Sequence, residues 1–140
     1  MIPGIVRAAA RTCILLVCAV SAATGQTPGT AAARTVIVRM IDQGLYGMAF
    51  DPTRVTVHRG DTVRFVQAGN LPHNVEFKSV QAQTDLGPSR IGPHLKVQGE
   101  TYSIVIDQRF AVGKHVYVCT PHEVLGMAGI IYVADESSSR

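Results

Sequence analysis

A thiol, an imidazole and a thioether stand close together in the stretch Cys119-Thr-Pro-His122-Glu-Val-Leu-Gly-Met127. A second imidazole, His73, sits far upstream in Leu71-Pro72-His73-Asn74. A trigonal set of two histidines and one cysteine, with a weak axial methionine, is the arrangement that suits copper moving between its two oxidation states. The sulfur donors favour the reduced ion and the imidazoles serve both states, so little atomic movement accompanies electron transfer. Zinc fits less well. Structural zinc takes four strong ligands and catalytic zinc keeps an open position, and a thioether serves neither purpose.

Taken singly, each residue has a plainer reading. A lone cysteine is usually a small buried hydrophobe, and a methionine usually fills core space. The order and company of the four side chains is what points to a mononuclear copper site at His73, Cys119, His122 and Met127. His58, His94 and His115 have no partner at ligand spacing and read as structural or surface residues. Glu123, inside the loop, reads as solvated.

The spacing makes demands on the backbone. Eight residue steps from Cys119 to Met127 could stretch to roughly 28 Å, so the segment must fold sharply to gather its ligands. Pro121 stiffens its start and Gly126 permits an unusual backbone angle before Met127. The elements around it read as short strands separated by turns. Thr35 to Ile41, Val55 to His58, Thr62 to Val66, Asn74 to Phe77, Tyr102 to Ile106, His115 to Cys119 and Gly129 to Val133 are the expected strands. Gly113-Lys114 reads as a hairpin turn. Residues 81–98 are irregular, broken by Gly87-Pro88 and Gly92-Pro93, with room for a turn of helix. Seven to eight half-apolar strands over about a hundred residues predict an all-β sandwich.

The chain resembles the plastocyanin and pseudoazurin branch of the cupredoxins from about residue 36 to residue 134. The resemblance rests on Met48-Ala-Phe50-Asp-Pro52, Gly60-Asp61-Thr62-Val63, His73-Asn74-Val75, Gly99-Glu-Thr-Tyr102 and the Cys119 to Met127 loop. The ligand spacing C-x2-H-x4-M is similar to that of those two families. It implies a Greek-key β-sandwich, one bound copper ion, and a hydrogen bond from Asn74 across to the loop near Thr120. It also implies that His122 presents its ring edge at the surface, ringed by Leu71, Pro72, Pro121, Leu125 and Gly47. Redox partners, a cytochrome or another copper protein, would dock on that apolar patch. Plastocyanins carry a tyrosine directly before the ligand cysteine, serving a second electron route. Val118 occupies that position here, so the side route is not carried over. The segment 81–98 matches neither family.

The expected organisation is a signal peptide over 1–23, a flexible tether over 24–33, a plastocyanin-like domain over 34–135 and a frayed tail over 136–140. Arg7 and Arg11 precede an apolar run from Cys13 to Val20 and the small residues Ser21, Ala22 and Ala23, the order of a secretory signal. The run falls short of the ~20 residues that a membrane span needs. The whole chain carries a formal charge of +3. With Arg7 and Arg11 removed, 11 basic residues face 10 acidic ones, a net of about +1. That near-balance gives no footing for nucleic-acid binding. Cys13 and Cys18 would leave with the signal, and a metal bond explains the one cysteine left in an oxidising compartment. The expectation is a periplasmic, monomeric electron carrier. Copper delivery is the alternative. An enzymatic role would need a second metal site, which no His-x-His pair is present to build.

Overall fold

A computed structural model describes residues 32–42, 44 and 47–135. The expected signal, most of the tether and the tail lie outside those residues.

Strand β1 (Thr35–Ile41) buries Val38 and Met40 and turns Ile37 and Arg39 outward. This is the period of two that a half-buried strand must show. The same alternation sends Val63, Phe65 and Gln67 inward from β4 (Thr62–Gln67), and Gly129, Ile131 and Val133 inward from β8 (Ala128–Val133). The remaining strands are β2 (Ala49–Asp51), β3 (Arg54–Val57), β5 (Glu76–Ser79), β6 (Thr101–Val105) and β7 (Gly113–Val118). They form two four-stranded sheets, ordered β2-β1-β4-β6 and β3-β8-β7-β5. The pairs β1–β4 and β3–β8 run parallel and the rest antiparallel. Sequence-distant strands therefore lie side by side, as a sandwich with crossovers between its sheets requires.

Between the sheets Tyr117 is the hub of an aromatic cluster. Its ring centroid lies 4.7 Å from Phe50, 5.2 Å from Phe65 and 5.9 Å from Phe77. Burying such a side chain is worth roughly 1.5–3 kcal/mol, so the cluster anchors β2, β4, β5 and β7 together. At one turn Asp61, nearly buried, accepts the backbone N–H groups of Arg34 and His58 and pairs with the Arg34 guanidinium at 3.1 Å. Burial alone would raise this carboxyl, but those donors outweigh it and hold it below its ordinary value.

Two expectations are corrected. Gly113-Lys114 is not a hairpin turn, because β6 pairs with β4 while β7 pairs with β8 and β5. The chain crosses between sheets over residues 106–112, and Gly113 already belongs to β7. Its φ of 122° and the Gln81 side chain, 2.9 Å from where a Cβ would stand, account for glycine there. The strand expected over Asn74 to Phe77 begins two residues later, at Glu76. Residues 73–75 are instead held by the 91–95 segment, through the bridge of His73 to Leu95 and the bond from Gly92 N–H to Val75 O at 2.8 Å. The irregular 81–98 stretch holds a 3-10 turn, Gly87–Arg90, and braces the His73 loop. No helix among the described residues is long and apolar enough to cross a membrane.

Candidate metal centre

Two loops at one end of the sandwich meet. The first leaves β7 at Cys119 and winds through a 3-10 turn, Thr120–Leu125, with Pro121 in its first turn. Gly126 ends the turn in the left-handed region at φ 83°, a conformation that glycine adopts freely. Cys119 N–H donates to Met127 O at 3.1 Å and Met127 N–H to His122 O at 3.2 Å, so the segment closes on itself before β8. The second loop carries His73, locked to Leu95 by reciprocal backbone bonds of 3.0 and 2.8 Å. The buried amide of Gln67 supports it, donating to the carbonyls of Leu71 and Leu95 and accepting from Gly69 N–H.

The donor atoms converge. Cys119 Sγ lies 3.5 Å from His73 Nδ1 and 3.3 Å from His122 Nδ1, and the two ring nitrogens are 3.1 Å apart. A triangle with those edges has its centre about 1.9 Å from each corner, close to the roughly 2.0–2.3 Å of metal–nitrogen and metal–sulfur bonds. The three side chains are spaced to hold one ion between them. His73 and Cys119 are wholly buried and His122 is half-buried. Met127 is also wholly buried, its backbone bonded to both Cys119 and His122.

The electrostatics favour a neutral ring at His73. Burial lowers His73 below its ordinary value, the His122 ring adds to that, and the Asp42 carboxylate opposes both. Burial pushes the Cys119 thiol up, partly offset by the backbone N–H groups of Asn74 and His122. A metal ion bound at the sulfur would displace the thiol's proton to solvent.

Asn74 ties the two loops. Its Oδ1 accepts Thr120 N–H at 2.8 Å and its Nδ2 donates to Thr120 Oγ1 at 3.1 Å. Thr120 Oγ1 in turn donates to Glu76 at 2.9 Å, and Lys78 bridges Glu76 and Glu123 at 3.2 and 3.4 Å. The cross-loop bond that the resemblance implied is present. Asn74→Ala is expected to weaken metal binding by roughly 10–100-fold, the usual cost of losing support behind the ligands. Titration against a competing chelator measures this, and unchanged affinity would show that the 3-10 turn holds its shape without Asn74.

Of the other residues singled out from sequence, His94 is exposed, His58 half-buried, and His115 buried with its Nε2 on Ala111 O at 2.8 Å. None joins the donor cluster. Glu123 is about half exposed and pairs with Lys78. Sequence reasoning missed Gln67, Leu95 and Asp42, whose roles depend on contacts across the fold. It also missed Val124, which is 92% exposed on the metal-site loop.

Residues 37–134 match a family model described as copper binding proteins, plastocyanin/azurin family. Plastocyanin of Vicia faba is 35% identical over 91 residues, covering 62% of this chain and 89% of that one. Chloroplastic plastocyanin of Chlamydomonas reinhardtii is 34% identical over 88 residues, covering 61% of this chain. The chain spans 59% of that relative's length. Among solved structures, pseudoazurin from Methylobacterium extorquens AM1 superposes with a TM-score of 0.51 at 28% identity, covering 73% of this chain and 76% of that one. The β-sandwich expected from strand patterning is thus the cupredoxin fold.

Proposed function

The chain belongs to the copper-binding plastocyanin/azurin family, and from that premise we propose that it is an exported carrier of single electrons between larger redox proteins, holding one copper ion through His73, Cys119, His122 and Met127. The observation that carries the reading is the donor triangle of two imidazole nitrogens and one sulfur, with edges of 3.1–3.5 Å. Copper bound there supplies one-electron chemistry by alternating between Cu(I) and Cu(II). The chain's part is to hold the donors still. Both loops are pinned by backbone and Asn74 bonds, so the ligand positions need not change with the charge of the site. Cys119, buried and losing its proton when metal binds, would be the covalent path into β7.

His122 supplies the way in. It is the half-buried member of the triangle, and Leu71, Pro72, Pro121, Val124 and Leu125 around the two loops are all exposed. A small apolar rim favours brief docking and quick release, as small interfaces do, and it suits a cytochrome or another copper protein. Export to the periplasm rests on the basic start and apolar run of residues 1–23. In this reading the carrier acts as a monomer, transforms no substrate and binds no nucleic acid.

The oxidised, copper-loaded protein is expected to be intensely coloured and to be reduced rapidly by a cytochrome donor in stopped flow. A colourless preparation, or copper handed intact to an apo acceptor, would favour delivery instead. Met127→Leu should retain copper and raise the reduction potential by at least about 59 mV, a tenfold change in the preference between the two states. Removing a donor and putting a hydrocarbon in place of its polarisable sulfur both disfavour the more highly charged ion. Complete loss of copper from this variant would contradict a weakly held fourth donor at Met127.

A further inference from the structure

Behind His73 lies a carboxylate that neither the sequence pattern nor the ligand set accounts for. Asp42 follows directly on β1, and its side chain is only 6% exposed. Its oxygens accept Asn70 N–H at 2.7 and 2.9 Å and Leu71 N–H at 2.6 Å, gripping the turn that leads into Pro72 and His73. Its Oδ2 stands 3.8 Å from His73 Nε2. That nitrogen is buried and has no hydrogen-bond partner, although its ring points the other nitrogen at Cys119. The backbone is shaped to admit the carboxylate. A Cβ on Gly69 would lie 2.6 Å from Asp42 Cγ and Oδ1, and Gly69 has no positive φ to explain its being glycine.

Resting on the electron-carrier reading above, we propose that Asp42 is a positioning residue that sets the reduction potential of the copper site from behind His73. The fixed negative charge, one imidazole ring away from the donor triangle, favours the site's more positive, oxidised state. Reduction brings in one electron from the donor protein and reoxidation passes that electron to the acceptor. The carboxylate takes part in neither bond making nor proton transfer, and acts through the field it places along the Nε2–H direction. Ligating histidines commonly direct that N–H at a carboxylate or carbonyl, which orients the ring and raises its basicity. In a buried setting the charge is screened little by salt.

The test is the midpoint potential of the full copper-loaded protein, measured by spectroelectrochemistry at one fixed pH, for the parent and two variants. Asp42→Asn removes the charge and keeps the shape. Gly69→Ala keeps the charge and drives the carboxylate out of its niche. Each is expected to shift the Cu(I)/Cu(II) preference about tenfold toward Cu(I), raising the potential by about 59 mV. The visible band should stay in place, which separates a field effect from a disturbed ligand set. If Asp42→Asn fails to fold, Gly69→Ala decides alone. A parent with a reversible one-electron copper couple, whose variants shift that preference less than twofold, overturns the role of Asp42 and leaves the carrier reading standing. A parent with no such couple overturns both.

Discussion

Cys119→Ser is expected to abolish the intense visible absorption of the oxidised protein and to weaken copper binding by roughly a hundredfold or more, beyond the usual loss from removing a supporting residue. The thiolate is the one anionic donor in the triangle, and the colour depends on its bond to copper. A serine hydroxyl does not give up its proton near neutral pH and offers a hard oxygen where copper prefers a soft donor. The copper-free fold should survive. The backbone N–H groups of Asn74 and His122 point at the Cys119 sulfur and offset part of its burial, and a serine oxygen accepts from the same groups. Thermal unfolding of the copper-free variant should therefore stay within about 1 kcal/mol of the parent, the net worth of one ordinary hydrogen bond. An unchanged spectrum would remove Cys119 from the ligand set. An unfolded variant would show that the sulfur matters to packing rather than to the metal alone.

How much of this centre is legible in the chain follows from the distances in sequence over which each feature is determined. Cys119, His122 and Met127 lie in one loop, so residue order alone brings them together. The strands at Thr35–Ile41 and Thr62–Gln67 are equally local, because their alternation of buried and exposed side chains is written residue by residue. β2, with three residues, is too short to show a period. The start of β5 was set by competition. Asn74 spends its side chain on Thr120, and its neighbours pair with the 91–95 segment, so the ladder with β7 begins only at Glu76. The glycine at 113 looks like a turn tip because positive φ is common in turns, yet here it relieves crowding against Gln81. Asp42 stands 31 residues before His73, and no local pattern announces that a carboxylate after β1 will reach behind it. Gln67 reads as an ordinary inward position of β4. Only the fold shows that its amide holds the carbonyls of Leu71 and Leu95.

The second large effect concerns Tyr117, two residues before Cys119 on β7, and it separates what the ring does from what the hydroxyl does. Tyr117→Ala is expected to cost about 3–5 kcal/mol of stability, the range for truncating a large buried aromatic. The ring contacts Phe50, Phe65 and Phe77 and lies over Gly129 of β8, where an added Cβ would come within 2.4 Å of it. Gly129 faces Tyr117 in the β7–β8 ladder, so the ring fills the space that a side chain there would otherwise occupy. Deleting it opens a void that neither strand can close without losing its register. Tyr117→Phe should do the reverse. The phenol oxygen is buried without a hydrogen-bond partner, and burial holds the group far above its ordinary pKa. An unpaired buried hydroxyl costs about 1–3 kcal/mol, so its removal is expected to raise stability by about 1 kcal/mol after the small loss of contact beside Gly129. Urea denaturation of the copper-free forms measures both, since bound copper would add its own stabilisation to the folded state. A Phe variant less stable than the parent would mean that the hydroxyl has a partner in solution. Because Cys119 follows directly on that strand, the Ala variant should also loosen copper, whereas the Phe variant should leave the visible spectrum where it was.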